Sequence, residues 1–311
     1  MQIISSRIVF TLIKWILSGG MLAYALHAID VRQVADMLAR QNPLVPVAVI
    51  ALIIAQMAIS TFRWQRLLGL LSPEKPMGYG TLFNLNFINI FFNSCLPGTI
   101  GGDVVRAMLL KSEKLPLSLC IHSVIIDRLF AVFGVVAMVV ASLPWLGERL
   151  PALPVWLLMG ASFAGFIIGM VLLAKLPQLF VRLPSTTLVR HSWALLESLR
   201  RVMFSPGDAT VMLVQAIASH GCFCLGVYLL GTSIGVAFTL MDCLILVPPV
   251  LLLMMLPVSV GGWGVREVSM VGLLALAGVP SAAALTISVQ FGLLSIIASL
   301  PGAWCYARRR P

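Results

Sequence analysis

Long apolar runs separated by short polar connections dominate the hydrophobic pattern of this chain. Most runs approach the roughly 20 residues that an α-helix needs to cross a bilayer. The pattern therefore predicts an all-α polytopic membrane protein. Lys14 lies within the first run, and this lysine and the length of the run favour a retained span over a cleaved signal peptide. The apolar runs cover residues 8–29, 43–62, 79–96, 117–143, 154–174, 209–230, 236–256 and 281–304.

Two of these runs lead into matching motifs. Residues 96–106 are Leu-Pro-Gly-Thr-Ile-Gly-Gly-Asp-Val-Val-Arg (the first motif), and residues 256–266 are Leu-Pro-Val-Ser-Val-Gly-Gly-Trp-Gly-Val-Arg (the second motif). Proline, the glycine pair and arginine recur at one offset (257 − 97 = 160). Chance apolar similarity does not keep these residue types in register. We infer an internal repeat within a single membrane domain, with units centred on 79–143 and 236–304.

Each motif predicts a break between two helices, and each break is a candidate binding site. Proline and paired glycines interrupt a helix and free backbone polar groups, which hydrocarbon tolerates only where the backbone is buried in protein or lines a wet cavity. A new helix is expected after each glycine pair, and its first N–H groups favour an anion. Arg106 and Arg266 add positive charge one turn later, so the two motifs are candidate binding sites. The alternative is that each glycine pair only permits close helix packing.

The breaks also predict a topology. About six full spans are expected, with two re-entrant broken-helix pairs at 79–112 and 236–278. Three full spans lie between these pairs, so the repeats would be inverted, and positively charged loops would lie in the cytoplasm with both termini. Eight full spans are the alternative. The basic segment 175–208 is predicted to be cytoplasmic and to contain an interfacial amphipathic helix.

Polar residues inside the apolar runs are further candidates. Asn89 and Asn93 are four residues apart, so they share a helical face that should contact protein or water. Asp127 and Arg128 lie within run 117–143, and Asp127 is roughly 15 Å from its start at ~1.5 Å per residue. An intramembrane acid is either functional or part of an ion pair, here with Arg106 or Arg266. The face that carries Asp127 also contains Cys120, Ser123, Ala131 and Gly134.

The composition and net charge restrict the functions that this protein can have. The chain of 311 residues is 60% hydrophobic and 10% charged, too few charges to cover a soluble surface. Its formal net charge of +10 is distributed between apolar runs, which favours anionic lipid head groups over nucleic acid as partners. The spacing of cysteine and histidine predicts no disulfide framework or metal site, and the chain contains no common enzyme or cofactor motif.

Together the motifs resemble a known family. Residues 93–106, the Asp127-Arg128 pair and residues 257–267 are similar to the flippase-like membrane domain of bacterial lysylphosphatidylglycerol synthases and of stand-alone proteins that share it. In the full-length synthases this domain is taken to move aminoacylated phosphatidylglycerol between leaflets, while a separate soluble domain attaches the amino acid. No segment here matches that soluble domain. The resemblance therefore implies lipid translocation without synthesis, in the bacterial cytoplasmic (inner) membrane.

The leading functional expectation is translocation of an anionic or phosphate-bearing lipid, such as a phospholipid or a polyprenyl or hopanoid-type lipid. The alternatives are a secondary transporter of a small anion, an intramembrane enzyme, or a non-catalytic subunit that presents lipid to an envelope enzyme. A site that opens sideways to lipid would favour lipid translocation, and a closed aqueous path would favour the small-anion transporter. We expect no catalytic residue, metal or cofactor. The candidate substrate-binding residues are Asn89, Asn93, Gly101, Gly102, Asp103, Arg106, Asp127, Arg128, Gly261, Gly262, Arg266 and Glu267.

Overall fold

A computed structural model of the protein describes residues 41–95, 101–149, 187–255 and 262–308, with isolated helical positions between 164 and 175. All regular structure in these ranges is helical. The predicted spans at 8–29 and 154–174 lie outside the described residues, as do residues 96–100 and 256–261 of the two motifs, Gly261 among them. The helices are α1 (Leu44–Leu71), α2 (Tyr79–Cys95), α3 (Gly101–Ser112), α4 (Leu117–Arg149), α5 (Thr187–Met203), α6 (Pro206–Ser233), α7 (Leu240–Met254), α8 (Val265–Leu274), a 3₁₀ turn (Ala275–Ala277) and α9 (Ser281–Arg308).

Four of the described helices are long and apolar enough to cross a membrane. They are α1, α4, α6 and α9, each with at least 28 residues, and at ~1.5 Å per residue each exceeds the ~30 Å hydrocarbon layer. The expectation of an all-α polytopic membrane protein is confirmed. The helices α2, α3, α7 and α8 flank the motifs and are shorter, between 10 and 17 residues.

Local sequence explains where the helices begin. Pro206 occupies the first turn of α6, where its missing N–H costs nothing. Thr239 caps α7 by accepting a hydrogen bond from the Asp242 amide at 3.1 Å, and Asp242 Oδ2 accepts one from the Thr239 amide at 2.9 Å. A new helix begins within each motif. As predicted, α8 begins after its glycine pair, at Val265, whereas α3 begins at Gly101 and has the glycine pair in its first turn.

Two predicted ends were wrong. The second span was expected to end near Phe62, but α1 continues to Leu71. The apolar periodicity continues past that point, because Trp64, Leu67 and Leu68 are all buried. The span that begins at residue 117 was expected to end near 143, but α4 continues to Arg149 and includes Pro144.

The long helices α1 and α6 pack side by side and run antiparallel. The Gln41 side chain, just before α1, donates a hydrogen bond of 2.6 Å to Ser233 Oγ at the end of α6. At the other end of the pair, Arg66 Nε lies 2.6 Å from Asp208 Oδ1 at the start of α6. This pair forms the centre of the bundle, since α1 and α6 each contact the helices of both halves of the chain.

Each half of the chain also builds its own hydrophobic core. One core joins α1 to α4 around Trp64, Leu85, Leu110 and Phe130. The other is built mainly from α6 to α9, with Phe223, Leu246 and Phe291 at its centre. The halves then exchange contacts, because α2 packs against α9 and α7 packs against α4.

The apolar face of helix α5 packs against the rest of the protein. The expected amphipathic helix exists, with Arg200 and Arg201 in its last turn. Val202 is fully buried, and Leu195, Leu199 and Met203 pack beside it on the first core. The apolar side of this amphipathic helix therefore packs on the helix bundle.

Candidate functional site

The site is built on the hairpin that α2 and α3 form around the first motif. The two helices pack against each other, and the Lys75 ammonium before α2 donates a hydrogen bond of 2.8 Å to the Lys114 carbonyl after α3. The chain therefore enters and leaves this hairpin at one end. The Cys95 end of α2 and the Gly101 start of α3 therefore lie together at the opposite end, which we call the tip of the hairpin.

The predicted asparagine face closes the tip of the hairpin. Asn93 Nδ2 donates a hydrogen bond of 2.9 Å to Asn89 Oδ1, and Asn93 Oδ1 accepts one of 2.9 Å from the Gly102 amide. Asn89 is buried against protein. The expectation that Asn89 and Asn93 share a protein-facing side of one helix is confirmed. One of the N–H groups expected to be available to an anion is thus capped by the chain itself.

The glycine pairs of the two motifs serve different local needs. A Cβ on Gly102 would overlap the Asn89 carbonyl oxygen, so glycine is needed there for close approach of α2 and α3. In the second motif, Gly262 and Gly264 have φ angles of 82° and 84°, in the left-handed region that favours glycine. The packing explanation for the glycine pair thus holds at Gly102, whereas Gly262 meets a requirement of backbone conformation.

Behind this tip, charged side chains from three helices form a chain of alternating ion pairs. Arg63 Nε lies 2.8 Å from Asp127 Oδ1, and Arg106 Nη2 lies 3.2 Å from Asp127 Oδ2. Arg106 Nη2 is also 3.8 Å from Asp103 Oδ1, and Arg128 Nε is 2.6 Å from Asp103 Oδ2. We call Arg63–Asp127–Arg106–Asp103–Arg128 the ion-pair chain. Within it, the Asp127 carboxylate is shared by two buried guanidinium groups, those of Arg63 and Arg106.

The ion-pair chain rests on neutral polar and aromatic groups. Arg106 Nη1 donates a hydrogen bond of 2.9 Å to Asn86 Oδ1, and Asn86 Nδ2 donates one of 2.8 Å to Thr61 Oγ1. The Arg106 guanidinium also lies 4.4 Å from the centre of the Trp64 ring, a cation–π distance. Trp64 is in turn held by Ser123, whose Oγ accepts a hydrogen bond of 3.3 Å from Trp64 Nε1.

Several buried atoms of the ion-pair chain are left unsatisfied. Arg63 Nη1, Arg106 Nε and Asp103 Oδ1 have no hydrogen-bond partner among the described residues. Burying an unpaired donor or acceptor costs roughly 1–3 kcal/mol, and more when the group is charged. Unsatisfied donors on two neighbouring cations are what an incoming anion would engage.

The ion-pair chain opens onto an apolar outer surface. The side chain of Arg128 is 44% exposed, whereas those of Arg63 and Arg106 are 4% and 3% exposed. Ile121 and Ile125 are also exposed on α4, and helical spacing places them on the same face as Arg128. On the adjoining helix α3, Val104 and Met108 are exposed as well. A charged opening framed by exposed apolar side chains is suited to a molecule that is polar at one end only.

The second motif forms a smaller, closed cluster. Arg266 Nη2 lies 2.7 Å from Glu267 Oε1, and Ser288 Oγ donates a hydrogen bond of 3.1 Å to the same oxygen. Glu267 Oε2 accepts a hydrogen bond of 2.5 Å from the Gly264 amide, which caps α8. The Arg266 guanidinium lies 4.6 Å from the centre of the Trp263 ring.

The structure thus sorts the predicted residues into two groups. Asp103, Arg106, Asp127 and Arg128 come together with the Asn89, Asn93 and Gly102 tip, and Gly101 begins α3 beside them. Of the two partners expected for Asp127, Arg106 is the one it contacts. The remaining group is the separate pair of Arg266 and Glu267.

The sequence analysis does not identify Arg63, because the second predicted span ends near Phe62 and places Arg63 in the loop that follows. The signal that could have found it is the apolar spacing of Trp64, Leu67 and Leu68, which continues the helix and places an arginine within it. A charged side chain inside an apolar helix requires a partner of opposite charge, and this holds for Asp127 as it does for Arg63. Their pairing joins residues 64 positions apart in sequence.

Comparison with known proteins agrees with this architecture. A curated relative, the UPF0104 membrane protein of Methanothermobacter thermautotrophicus, is 26% identical over 268 residues, which cover 76% of this chain and 75% of the relative. The family model of the lysylphosphatidylglycerol synthase TM region matches residues 11–302 and thus includes both motifs and the whole ion-pair chain. The chain therefore belongs to the lysylphosphatidylglycerol synthase TM region family.

Proposed function

We propose that this membrane protein translocates an anionic or phosphate-bearing lipid between leaflets. Membership of the family supports a lipid-related role. The observation that carries the proposal is the ion-pair chain, which leads from an exposed guanidinium, Arg128, to two buried ones, Arg106 and Arg63, that share the Asp127 carboxylate. On this proposal the protein moves its lipid without chemical change.

The physical problem of translocation is the polar head group. A charged group pays a large free-energy penalty on entering the ~30 Å hydrocarbon layer. In the proposed mechanism the head group exchanges water for the guanidinium groups of Arg128, Arg106 and Arg63, which bind phosphate oxygens well. The acyl chains stay in the bilayer, beside the exposed apolar side chains of α3 and α4. The asparagine face at the tip of the hairpin supplies neutral hydrogen-bonding groups.

We further propose that the two halves are inverted repeats with re-entrant hairpins. Each half contains a long helix, a shorter helix, the motif, a short helix and a second long helix, as α1 to α4 and as α6 to α9. The first helices of the two halves pack antiparallel, as opposite orientations in the membrane require. With hairpins 79–112 and 236–278 re-entrant from opposite sides, six full spans place both termini in the cytoplasm, in agreement with the charge of the loops.

The lateral position of Arg128 favours a lipid over a small soluble anion. A transporter of a small anion needs a water-filled path enclosed by protein, whereas Arg128 lies among exposed apolar residues of α3 and α4. A lipid that keeps its acyl chains in the bilayer would enter by such a surface.

Leaflet exchange in proteoliposomes tests the proposal. Labelled phosphatidylglycerol, a zwitterionic phosphatidylcholine and a polyprenyl phosphate would be compared for the natural chain and for Arg106→Ala. Arg66→Gln is the matched control, because Arg66 is paired but lies at the outer ion pair with Asp208. We expect exchange of at least one phosphate-bearing lipid, a loss of tenfold or more in Arg106→Ala, and no change in Arg66→Gln. Full exchange in folded Arg106→Ala would refute the site, and no exchange of any lipid would refute the function.

A further inference from the structure

We propose that the two motifs have different roles: the ion-pair chain of the first half alone receives the anionic group, with Arg63 as a binding residue, and the Arg266–Glu267 pair is a closed structural element. The inference rests on the proposed function, but it concerns a separate question, namely which arginines touch the ligand. A sequence repeat predicts two equivalent sites, whereas the side-chain contacts of the two halves are not equivalent.

The first reason is the difference in unsatisfied hydrogen-bonding capacity. Arg63 Nη1 and Arg106 Nε are buried donors without a partner in the described part of the chain. In the same described ranges, no buried side-chain atom without a hydrogen-bond partner is found in Arg266, Glu267 or Ser288. A ligand oxygen therefore gains new hydrogen bonds in the first half. In the second half it would have to displace contacts that already exist.

The second reason is charge. In the ion-pair chain, Asp127 is the close carboxylate of both Arg63 and Arg106, so two buried guanidinium groups share one counter-ion, at 2.8 Å and 3.2 Å. Arg266 and Glu267 already neutralise each other at 2.7 Å, and both are at most 4% exposed. An anion added there would leave a buried excess negative charge, which an apolar environment penalises.

The third reason is access. Arg128 gives the ion-pair chain an exposed end, but the Arg266 guanidinium lies directly against Gly292 of α9, where even a Cβ would overlap it. The second cluster is thus packed on the side of α9. The Arg266–Glu267 ion pair, which also contacts Ser288 of α9, thus fixes the position of α8 against α9.

Arg63 lies outside the repeated motif, which makes it the clearest difference between the halves. It belongs to α1, whose counterpart is α6; both have 28 residues. At the 160-residue offset of the two motifs, the position equivalent to Arg63 is Phe223. The second half therefore has an apolar residue where the first half places a buried cation.

Each motif arginine lies beside its own tryptophan, which provides the experiment. Trp64 is 4.4 Å from Arg106 and Trp263 is 4.6 Å from Arg266. An anionic phosphodiester lipid with a nitroxide on its head group would be titrated into the purified protein in mixed micelles, and quenching of tryptophan fluorescence measured. We expect saturable quenching that Trp64→Phe removes and that Trp263→Phe leaves in place. Loss of the saturable component in Trp263→Phe but not in Trp64→Phe would overturn the inference.

Variants separate binding from folding. Arg63→Gln is expected to weaken the saturable quenching of Trp64 at least tenfold, and Arg63→Lys is expected to restore part of it, because it keeps the charge. The double variant Arg266→Met/Glu267→Gln removes the closed pair and keeps an oxygen for the Gly264 amide, so it should bind the lipid within threefold of the natural chain despite a lower melting temperature. Unchanged binding in Arg63→Gln, or tenfold weaker binding in the folded double variant, would overturn the inference.

The two proposals fail in different ways. Saturable quenching at Trp64 without leaflet exchange would contradict translocation and leave the one-sided site standing. Leaflet exchange with equal quenching at Trp64 and Trp263 would contradict the one-sided site and leave translocation standing.

Discussion

Replacing Asp127 with asparagine tests the energetic centre of the ion-pair chain. This carboxylate is 6% exposed and bridges two arginines, at 2.8 Å and 3.2 Å. Asp127→Asn keeps the size of the side chain but leaves Arg63 and Arg106 without their shared counter-ion. Removing one partner of a buried ion pair costs about 3–5 kcal/mol, because the remaining charge stays buried and uncompensated. We expect the free energy of unfolding to fall by about that amount, since Arg106 keeps only its 3.8 Å contact with Asp103.

The matched comparison is Arg66→Gln, at a position one turn beyond Arg63 on α1. The Arg66–Asp208 pair is also short, at 2.6 Å, but its side chains are 44% and 25% exposed. Exposed ion pairs contribute about 0–1 kcal/mol, because water and salt screen them. Asp127→Asn thus removes one partner of a buried ion pair, and Arg66→Gln removes one partner of an exposed ion pair. The difference between the two losses of stability therefore measures the effect of burial.

The assay is unfolding in mixed micelles, followed by helical circular dichroism, with a double-mutant cycle. Arg63→Gln alone leaves Asp127 paired with Arg106 and should cost less than Asp127→Asn. The double variant Asp127→Asn/Arg63→Gln no longer has the uncompensated Arg63 cation. The decrease in its free energy of unfolding should therefore be smaller than the sum of the decreases in the two single variants. Additive losses, or a loss below about 1 kcal/mol in Asp127→Asn, would show that the carboxylate is not the counter-ion of both arginines.

Further predictions concern close contacts and the open end of the site. Gly102→Ala should lower the melting temperature, because overpacking costs about 1–3 kcal/mol, whereas Gly80→Ala, with open space at its Cβ position, should raise it; an equal effect of the two would contradict the packing account. Gly292→Ala should displace Arg266 and lower the melting temperature by a similar amount, with little change in lipid exchange; a selective loss of exchange would argue for a ligand role of that arginine. Arg128→Gln should slow exchange in proteoliposomes with a small change in stability, since its side chain is 44% exposed; exchange at the natural rate would exclude Arg128 from the entry path.

Local features of the structure could be predicted from the sequence alone. The apolar runs predicted helices α1, α2, α4, α6, α7 and α9, because a membrane helix satisfies its backbone hydrogen bonds within itself. The motifs predicted the short helices α3 and α8. The breaks after Pro97 and Pro257 and the shared face of Asn89 and Asn93 were predictable for the same reason. Each follows from residues within one or two helical turns of one another.

The partners of the charged residues required the tertiary structure. Helical spacing placed Asp127 on an inward face, but two arginines of the repeat were equally suitable partners, and Arg63 was assigned to a loop. The packing of α1 against α4 decided the pairing with Arg63, and the α2–α3 hairpin brought Arg106 to the same carboxylate. The repeat suggested two equivalent sites, yet Glu267 turns back to its own neighbour Arg266 and closes one of them. Sequence periodicity specifies which face of a helix is polar, whereas the counter-ion of a buried charge depends on which helices meet there, and that is a property of the packed bundle.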